Sequence, residues 1–167
     1  EDGQTVTITL NSATYTASVS SDAATITITA AGLQALTNGS SYTMTADVSD
    51  AAGNAATQVT SSSFSVDTAA SIGAIATSAF SWGASLNATE DNSNGTVSVT
   101  TSGVEDGQTV TITLNSATYT ASVSSDAASV TITAAGLQAL TNGSSYTMTA
   151  DVTDANGNAA TQVTSSS

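Results

Sequence analysis

Short runs of alternating apolar and polar residues recur along the whole chain. The segment 5–10 reads Thr-Val-Thr-Ile-Thr-Leu, and similar runs occupy residues 13–19, 26–30, 42–48, 58–66 and 96–101. A period of two predicts strands with one buried face. The pairs that separate the runs predict turns: Asn11-Ser12, Ser21-Asp22, Asn38-Gly39 and Gly53-Asn54. Residues 31–36 predict a short helical turn, with Leu33 and Leu36 closing one end of the core.

Strands of this length, without a long helix, predict an all-β fold. The spacing of strands and turns indicates immunoglobulin-like antiparallel β-sandwiches with Greek-key connections. The core would be thin, since only a few aromatic residues contribute to it. In residues 68–167 these are chiefly Phe80, Trp82, Tyr119 and Tyr146.

The first part of the chain recurs near its end. Residues 1–63 align without gaps on residues 105–167, at an offset of 104 residues. The four differences are Thr25/Ser129, Ile26/Val130, Ser49/Thr153 and Ala52/Asn156. The remaining 59 of 63 positions are identical. This identity indicates a tandem array whose unit has the size of one domain.

The segment Phe64-Ser65-Val66-Asp67-Thr68 carries the predicted junction between units, around Val66–Thr68. Residues 68–167 are predicted to form a nearly complete repeat. Residues 1–67 are predicted to be the C-terminal part of the preceding repeat, without the strands that correspond to 68–104.

The composition excludes several classes of function. The chain has 13 Asp and Glu residues among its 167, and no Lys, Arg, His, Cys or Pro. Without cationic side chains, we expect no nucleic-acid binding and no attachment to anionic membranes through a basic patch. No apolar run reaches the length of a membrane span, so we expect no direct membrane insertion. Most nucleophile–base pairs and most zinc, copper or haem sites also cannot be assembled.

The acidic residues gather at turns and strand ends. Glu90-Asp91-Asn92 lies in a turn that ends in glycine, Glu105-Asp106-Gly107 precedes a strand, and Asp154-Ala155-Asn156-Gly157-Asn158 places oxygen-bearing side chains at alternate positions. Calcium takes six to eight oxygen ligands, so a chain whose charges are all carboxylates suits that ion. The same segments are also compatible with plain polar loops held by Asx turns.

Single acidic residues differ in what they indicate. Asp67, at the junction, is the sharpest candidate, because an ion there could tie the linker to loops of both neighbours, although an exposed linker charge is the alternative. Asp22 and Asp126 lie at hairpin tips, where a solvated turn is favoured.

Three features of the sequence are compatible with other functions. Rows of threonine, as in Thr5-Thr7-Thr9, could match ice directly, but threonine is also a common strand former. A carbohydrate-binding module would need an exposed aromatic patch, for which Trp82 is the only tryptophan. Paired carboxylates could serve a glycosidase. Because the acidic pairs lack an aromatic platform and cationic neighbours, we expect no enzyme activity, no catalytic residues and no small-molecule substrate.

Four motifs on a period of 104 residues together resemble the bacterial immunoglobulin-like extender repeats of giant RTX adhesins. The motifs are Val66-Asp67-Thr68, Glu90-Asp91-Asn92, Glu105-Asp106-Gly107 and Asp154–Asn158. The family pattern usually has a proline after Val-Asp-Thr, whereas Ala69-Ala70 follows here. The stiffness of the linker must therefore come from elsewhere, and we expect calcium to provide it.

The resemblance implies a calcium-rigidified spacer on a bacterial cell surface, secreted by a type I system. Its partners would be neighbouring identical repeats and several Ca²⁺ ions, and it would project a distal adhesive or ice-binding domain. Carried over by position, the candidate calcium ligands are Asp67, Glu90, Asp91, Asn92, Glu105, Asp106, Asp154 and Asn158, with the first-copy equivalents Glu1, Asp2, Asp50 and Asn54.

Overall fold

The computed structural model describes all residues from 1 to 167 and divides them into two compact units. Unit 1 is Glu1–Asp67 and unit 2 is Thr68–Ser167. Each unit is built from short strands in antiparallel sheets, which confirms the predicted all-β class. Neither unit contains a helix with the length and apolar character that crossing a bilayer requires.

Unit 1 contains one four-stranded and one two-stranded sheet. The larger sheet has the order β2-β1-β4-β5, and the smaller one pairs β3 with β6. The elements in chain order are β1 (Thr5–Leu10), β2 (Ala13–Ser18), α1 (Ala30–Gln34), β3 (Ser41–Tyr42), β4 (Met44–Val48), β5 (Val59–Thr60) and β6 (Phe64–Ser65).

The first hairpin forms where the sequence predicts it. Asn11 and Ser12 connect β1 to β2 with φ values of 47° and 64°. Positive φ at both central residues defines a type I′ turn, whose twist matches that of the flanking strands. The register that follows places Leu10 opposite Ala13. Local turn geometry therefore fixes which face of β1 carries its apolar side chains.

Two predictions for unit 1 are wrong. Residues 26–30 form no strand, and Ala30 begins α1 instead. Leu33, predicted to close the core, is 51% exposed, although Leu36 is buried. The cause is the same for both, because unit 1 contains no counterpart of the strand that pairs with this segment in unit 2. Without a neighbouring strand, residues 26–30 have no partner for backbone hydrogen bonds between strands. Leu33 likewise has no second sheet to pack against and stays exposed.

Unit 2 contains both layers of a sandwich. One sheet has the order β10-β9-β12-β13 and the other β11-β8-β7. The elements are β7 (Ser71–Ile72), β8 (Gly95–Ser102), β9 (Thr109–Leu114), β10 (Ala117–Ser122), β11 (Ala127–Ile132), α2 (Ala134–Gln138), β12 (Met148–Asp151) and β13 (Val163–Thr164). In β11, the counterpart of the segment that forms no strand in unit 1, Ala127–Ile132 pairs with Thr100–Gly95 of β8.

The core of unit 2 lies between these sheets. Alternate residues of β8 and β9 point inward, and Val97, Val110 and Ile112 are fully buried. Leu137 on α2 closes one end of this core with 1% of its surface exposed. Phe80 and Trp82 stack at 5.3 Å between ring centroids and pack against the same cluster.

Candidate metal centre

The candidate ligands of unit 2 lie at two opposite ends of β8. Glu90-Asp91-Asn92 forms a short 3₁₀ helix before the strand, whereas the turn 105–107 follows it. The strand has eight residues, which at roughly 3.3 Å per residue corresponds to about 26 Å. These two acidic groups therefore cannot share one ion within unit 2. We call the end of unit 2 that carries the turn 105–107 and the loop 154–158 the loop end, and we use the same name for residues 1–3 and 50–54 of unit 1.

At the loop end, Glu105 reaches across to the loop 154–158. Its Oε2 accepts a hydrogen bond from the backbone N–H of Ala155 at 2.8 Å. The neighbouring Asp106 reaches the other way, and its Oδ1 accepts the N–H of Ser125 at 2.8 Å, at the tip of the β10–β11 hairpin. One acidic turn thus holds two loops, and the sequence predicted the turn but not the contacts that it makes.

Asp154 organises its own loop from inside. Its Oδ1 accepts the N–H groups of Asn156 at 3.0 Å and Asn158 at 2.7 Å, and its Oδ2 accepts the side-chain amide of Asn158 at 2.7 Å. The side chain is only 4% exposed. A buried carboxylate in a chain without cationic side chains is therefore satisfied by amide dipoles.

These contacts govern the ionisation of Asp154. Burial alone would raise its pKa, but the hydrogen bonds from Asn158 and Asn156 outweigh burial and hold the pKa below its usual value. In unit 1, the side-chain hydrogen bond from Asn54, together with backbone N–H groups, likewise lowers the pKa of Asp50. Both carboxylates are consequently ionised at neutral pH.

Unit 1 repeats the loop end almost contact for contact. Glu1 Oε2 accepts the N–H of Ala51 at 3.0 Å, and Asp50 accepts the N–H groups of Ala52 at 3.0 Å and Asn54 at 2.8 Å. Asp2 Oδ1 lies 3.5 Å from the N–H of Asp22. Ala52 can stand where unit 2 has Asn156 because the bond at this position uses the backbone.

The 3₁₀ helix at the other end of β8 is held by its own polar residues. Asn87 Oδ1 accepts the N–H groups of Thr89 and Glu90 at 2.9 and 3.1 Å, while Glu90 Oε2 accepts the N–H of Asn87 at 3.0 Å. Asn92 accepts a hydrogen bond from Gln138 at 3.3 Å. Asp91 is partly buried beside them. Asn87 was not predicted from the sequence as a residue of this site, although an Asn three residues before a Glu is a known capping signature. At the end of unit 1, Asp67 is partly buried.

The loop-end residues match calcium in donor type. All their side-chain donors are carboxylate or amide oxygens, the ligands that this ion prefers. Their arrangement is not that of a carboxylate cage, since nowhere in the chain do three Asp or Glu side chains converge as metal ligands. An ionised carboxylate offers about four acceptor positions, of which Asp154 uses three. Backbone carbonyls and water would have to supply the rest of a calcium shell.

Threonine forms ordered rows on the outer face of the larger sheets. In unit 1, the register aligns Thr14, Thr9, Thr45 and Thr60 across four strands. The adjacent row is interrupted, because Asp47 lies opposite Thr7 and accepts hydrogen bonds from Gln58 at 2.9 and 3.0 Å. The threonine array is therefore one row wide.

The fold resembles that of tandem immunoglobulin-like domains from bacterial adhesins. A structure solved in a study of how a 1.5-MDa bacterial ice-binding adhesin is retained at the host cell surface matches 98% of this chain, at 30% identity and a TM-score of 0.51. The chain spans 51% of the length of that structure. The resemblance inferred from the sequence, and the immunoglobulin-like fold, are confirmed.

Two further solved structures align with the chain at lower structural similarity. A Ca²⁺-stabilised adhesin with which an Antarctic bacterium reaches out and binds ice covers 100% of this chain and 40% of its own, at 31% identity and a TM-score of 0.46. An immunoglobulin-like domain of the M. primoryensis adhesin covers 59% of this chain and 90% of its own, at 28% identity and a TM-score of 0.38. No protein-family model matches the chain, and no curated protein matches it significantly.

Proposed function

We propose that this protein is a spacer module of a bacterial cell-surface adhesin, displayed outside the cell. The observation that carries the proposal is the match over 98% of the chain to domains of a giant ice-binding adhesin. The near-identity of 59 of 63 aligned positions supports it, because an extended array needs repeated units rather than a differentiated site. In this role the module projects a distal adhesive or ice-binding domain, after secretion by a type I system, and has no enzymatic activity of its own.

Calcium binding is the second part of the proposal. The loop end of unit 2 offers Glu105, Asp106, Asp154 and Asn158, and the same end of unit 1 offers Glu1, Asp2, Asp50 and Asn54. Glu90-Asp91-Asn92 and the junction residue Asp67 are separate candidates. The support is chemical, since 13 carboxylates have no cationic side chain to offset them and gather in loops. An ion that binds only the folded state would stabilise it by about 2.7 kcal/mol at a hundred times its Kd.

A calorimetric calcium titration tests the ligand assignment. We expect saturable binding by the wild-type chain and fewer bound ions in Asp154→Asn. The matched control is Asp126→Asn, which removes the same charge from an exposed hairpin tip near the loop end and should keep the wild-type stoichiometry. Asp67→Ala tests the junction separately.

Melting and small-angle scattering with and without a chelator test the spacer role. We expect chelation to lower Tm and to change the maximum dimension of the particle. If neither quantity changed, calcium would neither stabilise nor stiffen the protein, and this part of the proposal would be abandoned.

Direct ice binding is the alternative that the threonine row favours. A row of four threonines flanked by the Asp47–Gln58 pair gives a narrow, polar-interrupted surface. We therefore expect no thermal hysteresis from this chain alone, and measurable hysteresis would transfer the ice-binding function to this module.

A further inference from the structure

One strand of each larger sheet has a free edge. In unit 2, β10 lies at one end of the order β10-β9-β12-β13 and pairs with β9 alone. Beyond β10 the chain makes a single bridge, between Ser124 and Ala127, and β11 then joins the other sheet. On the side away from β9, β10 therefore has no strand beside it in its own sheet. β2 has the same position in the larger sheet of unit 1.

The hydrogen-bonding pattern shows which backbone groups of β10 face the free side. Just after the strand, the N–H of Val123 donates to the carbonyl of Gln108 at 2.7 Å, on the side of β9. Successive residues of an antiparallel strand direct their backbone groups to alternate sides. Thr118, Thr120 and Ser122 therefore direct theirs away from β9, and all three residues are exposed. Such a row of N–H and C=O groups is a template for another strand.

This edge lacks three features that usually prevent two edges from pairing, namely proline, charged side chains and bulges. The register of β10 with β9 is continuous over all six residues of the strand. The strand contains no proline and no charged residue. The uncharged stretch extends over residues 108–125, although the chain carries 13 carboxylates. Electrostatic repulsion between two copies is therefore weakest along this hairpin.

The sequence of β10 is self-complementary. Residues 117–121 read Ala-Thr-Tyr-Thr-Ala, which is the same in both directions around Tyr119. Antiparallel pairing of two copies around Tyr119 places Thr118 of one opposite Thr120 of the other on the outer face. On the inner face it places the two tyrosines opposite each other, where each already packs partly buried against its own core. Threonine pairs and aromatic pairs are both favourable between antiparallel strands.

We propose that the free edge of β10 binds a second copy of this chain by antiparallel, two-fold symmetric strand pairing centred on Tyr119. β2 has the same sequence and offers the same edge. The symmetry keeps the acidic loop ends apart, because the two Ser122 residues lie about 20 Å from each other, beyond a screening length of about 8 Å at physiological salt. The pairing adds about four backbone hydrogen bonds, so the contact is weak and reversible. The inference rests on strand geometry and not on adhesion or calcium.

Sedimentation velocity of the full chain over a concentration series tests the association. We expect a reversible monomer–dimer equilibrium in the wild type. The double variant Thr16→Asp with Thr120→Asp should dimerise roughly tenfold more weakly, because like charges across paired strands are destabilising. The matched control, Thr9→Asp with Thr113→Asp, places the same charges on the outer face of the central strands β1 and β9 and should associate like the wild type. A wild-type chain that stays monomeric at every concentration, or equal association of the two variants, would overturn the proposal.

Disulfide trapping tests the register of the pairing. The natural chain has no cysteine, so Thr118→Cys and Thr120→Cys each introduce a single thiol. Residue 118 of one copy lies opposite residue 120 of the other in the proposed dimer. We therefore expect an equimolar mixture of the two variants to form disulfide-linked dimers in a glutathione redox buffer faster than either variant alone. Equal rates in the mixture and in the separate variants would refute pairing centred on Tyr119.

Discussion

Leu137 and Leu33 occupy the same place in two copies of one sequence, Ala-Ala-Gly-Leu-Gln-Ala-Leu, and differ only in what covers them. Leu137 is 1% exposed in the complete core of unit 2, whereas Leu33 is 51% exposed in unit 1. Replacing either leucine with alanine therefore separates the effect of burial from that of sequence and helix propensity.

The expected magnitudes follow from the burial. Leucine to alanine removes three carbon atoms, and at about 0.8 kcal/mol per buried group this amounts to about 2.4 kcal/mol. At Leu137 the cavity left behind adds to this loss, giving about 3–5 kcal/mol. At Leu33 half of the transfer term applies and no closed cavity forms, giving about 1 kcal/mol. For a domain of this size, 1 kcal/mol corresponds to roughly 4–8 °C in Tm.

Urea denaturation of the full chain measures both variants. Trp82 fluorescence reports unit 2, and far-UV circular dichroism reports both units. We expect Leu137→Ala to lower the free energy of unfolding of unit 2, read from the fluorescence, by about 3–5 kcal/mol. We expect Leu33→Ala to lower that of unit 1, read from the circular dichroism, by only about 1 kcal/mol. Equal losses of unfolding free energy in the two variants would contradict the difference in burial between Leu137 and Leu33. A loss below about 1 kcal/mol for Leu137→Ala would contradict it as well.

Three further outcomes follow from individual contacts. The hydroxyl of Thr101 is buried without a hydrogen-bond partner, so Thr101→Val should raise the unfolding free energy by about 1 kcal/mol, and a loss in urea titrations would contradict this. Thr133 caps α2 by accepting the N–H of Gly136 at 3.2 Å, so Thr133→Ala should lower that energy by about 1 kcal/mol, with Thr133→Ser as the control that keeps it. The lowered pKa of Asp154 contributes stability above the unfolded pKa that is lost as pH falls through the folded one. The stability gap between wild type and Asp154→Asn should therefore shrink between pH 6 and pH 2, and a gap independent of pH would contradict the assignment.

Local patterns predicted the parts of the fold that local forces determine. The β1–β2 hairpin follows from alternation around Asn11-Ser12, and the helical turn follows from a short segment with its own cap. Residues 26–30 carry equally good alternation but form no strand in unit 1. Their copy in β11 does form one because β8 is present, so a partner distant in sequence decides the outcome.

The loop end was predictable in composition and not in contacts. Glu105 and Ala155 are 50 positions apart in the sequence. The carboxylate of Glu105 accepts a backbone N–H, and because every residue except proline has one, no residue type in the sequence indicates this partner.

The near-identity of the two halves has a consequence for how the chain finds its fold. The central strand β9 has two interchangeable partners for each of its edges, since β2 and β10, and likewise β4 and β12, have the same sequence. Nothing in side-chain chemistry distinguishes the right partner from the wrong one, so only proximity along the chain can. Two-residue turns close much faster than long loops, which gives the native hairpins a kinetic lead. In such a protein, fidelity depends on the order in which contacts form, and lengthening the Asn115-Ser116 turn should cause strands to exchange between repeats.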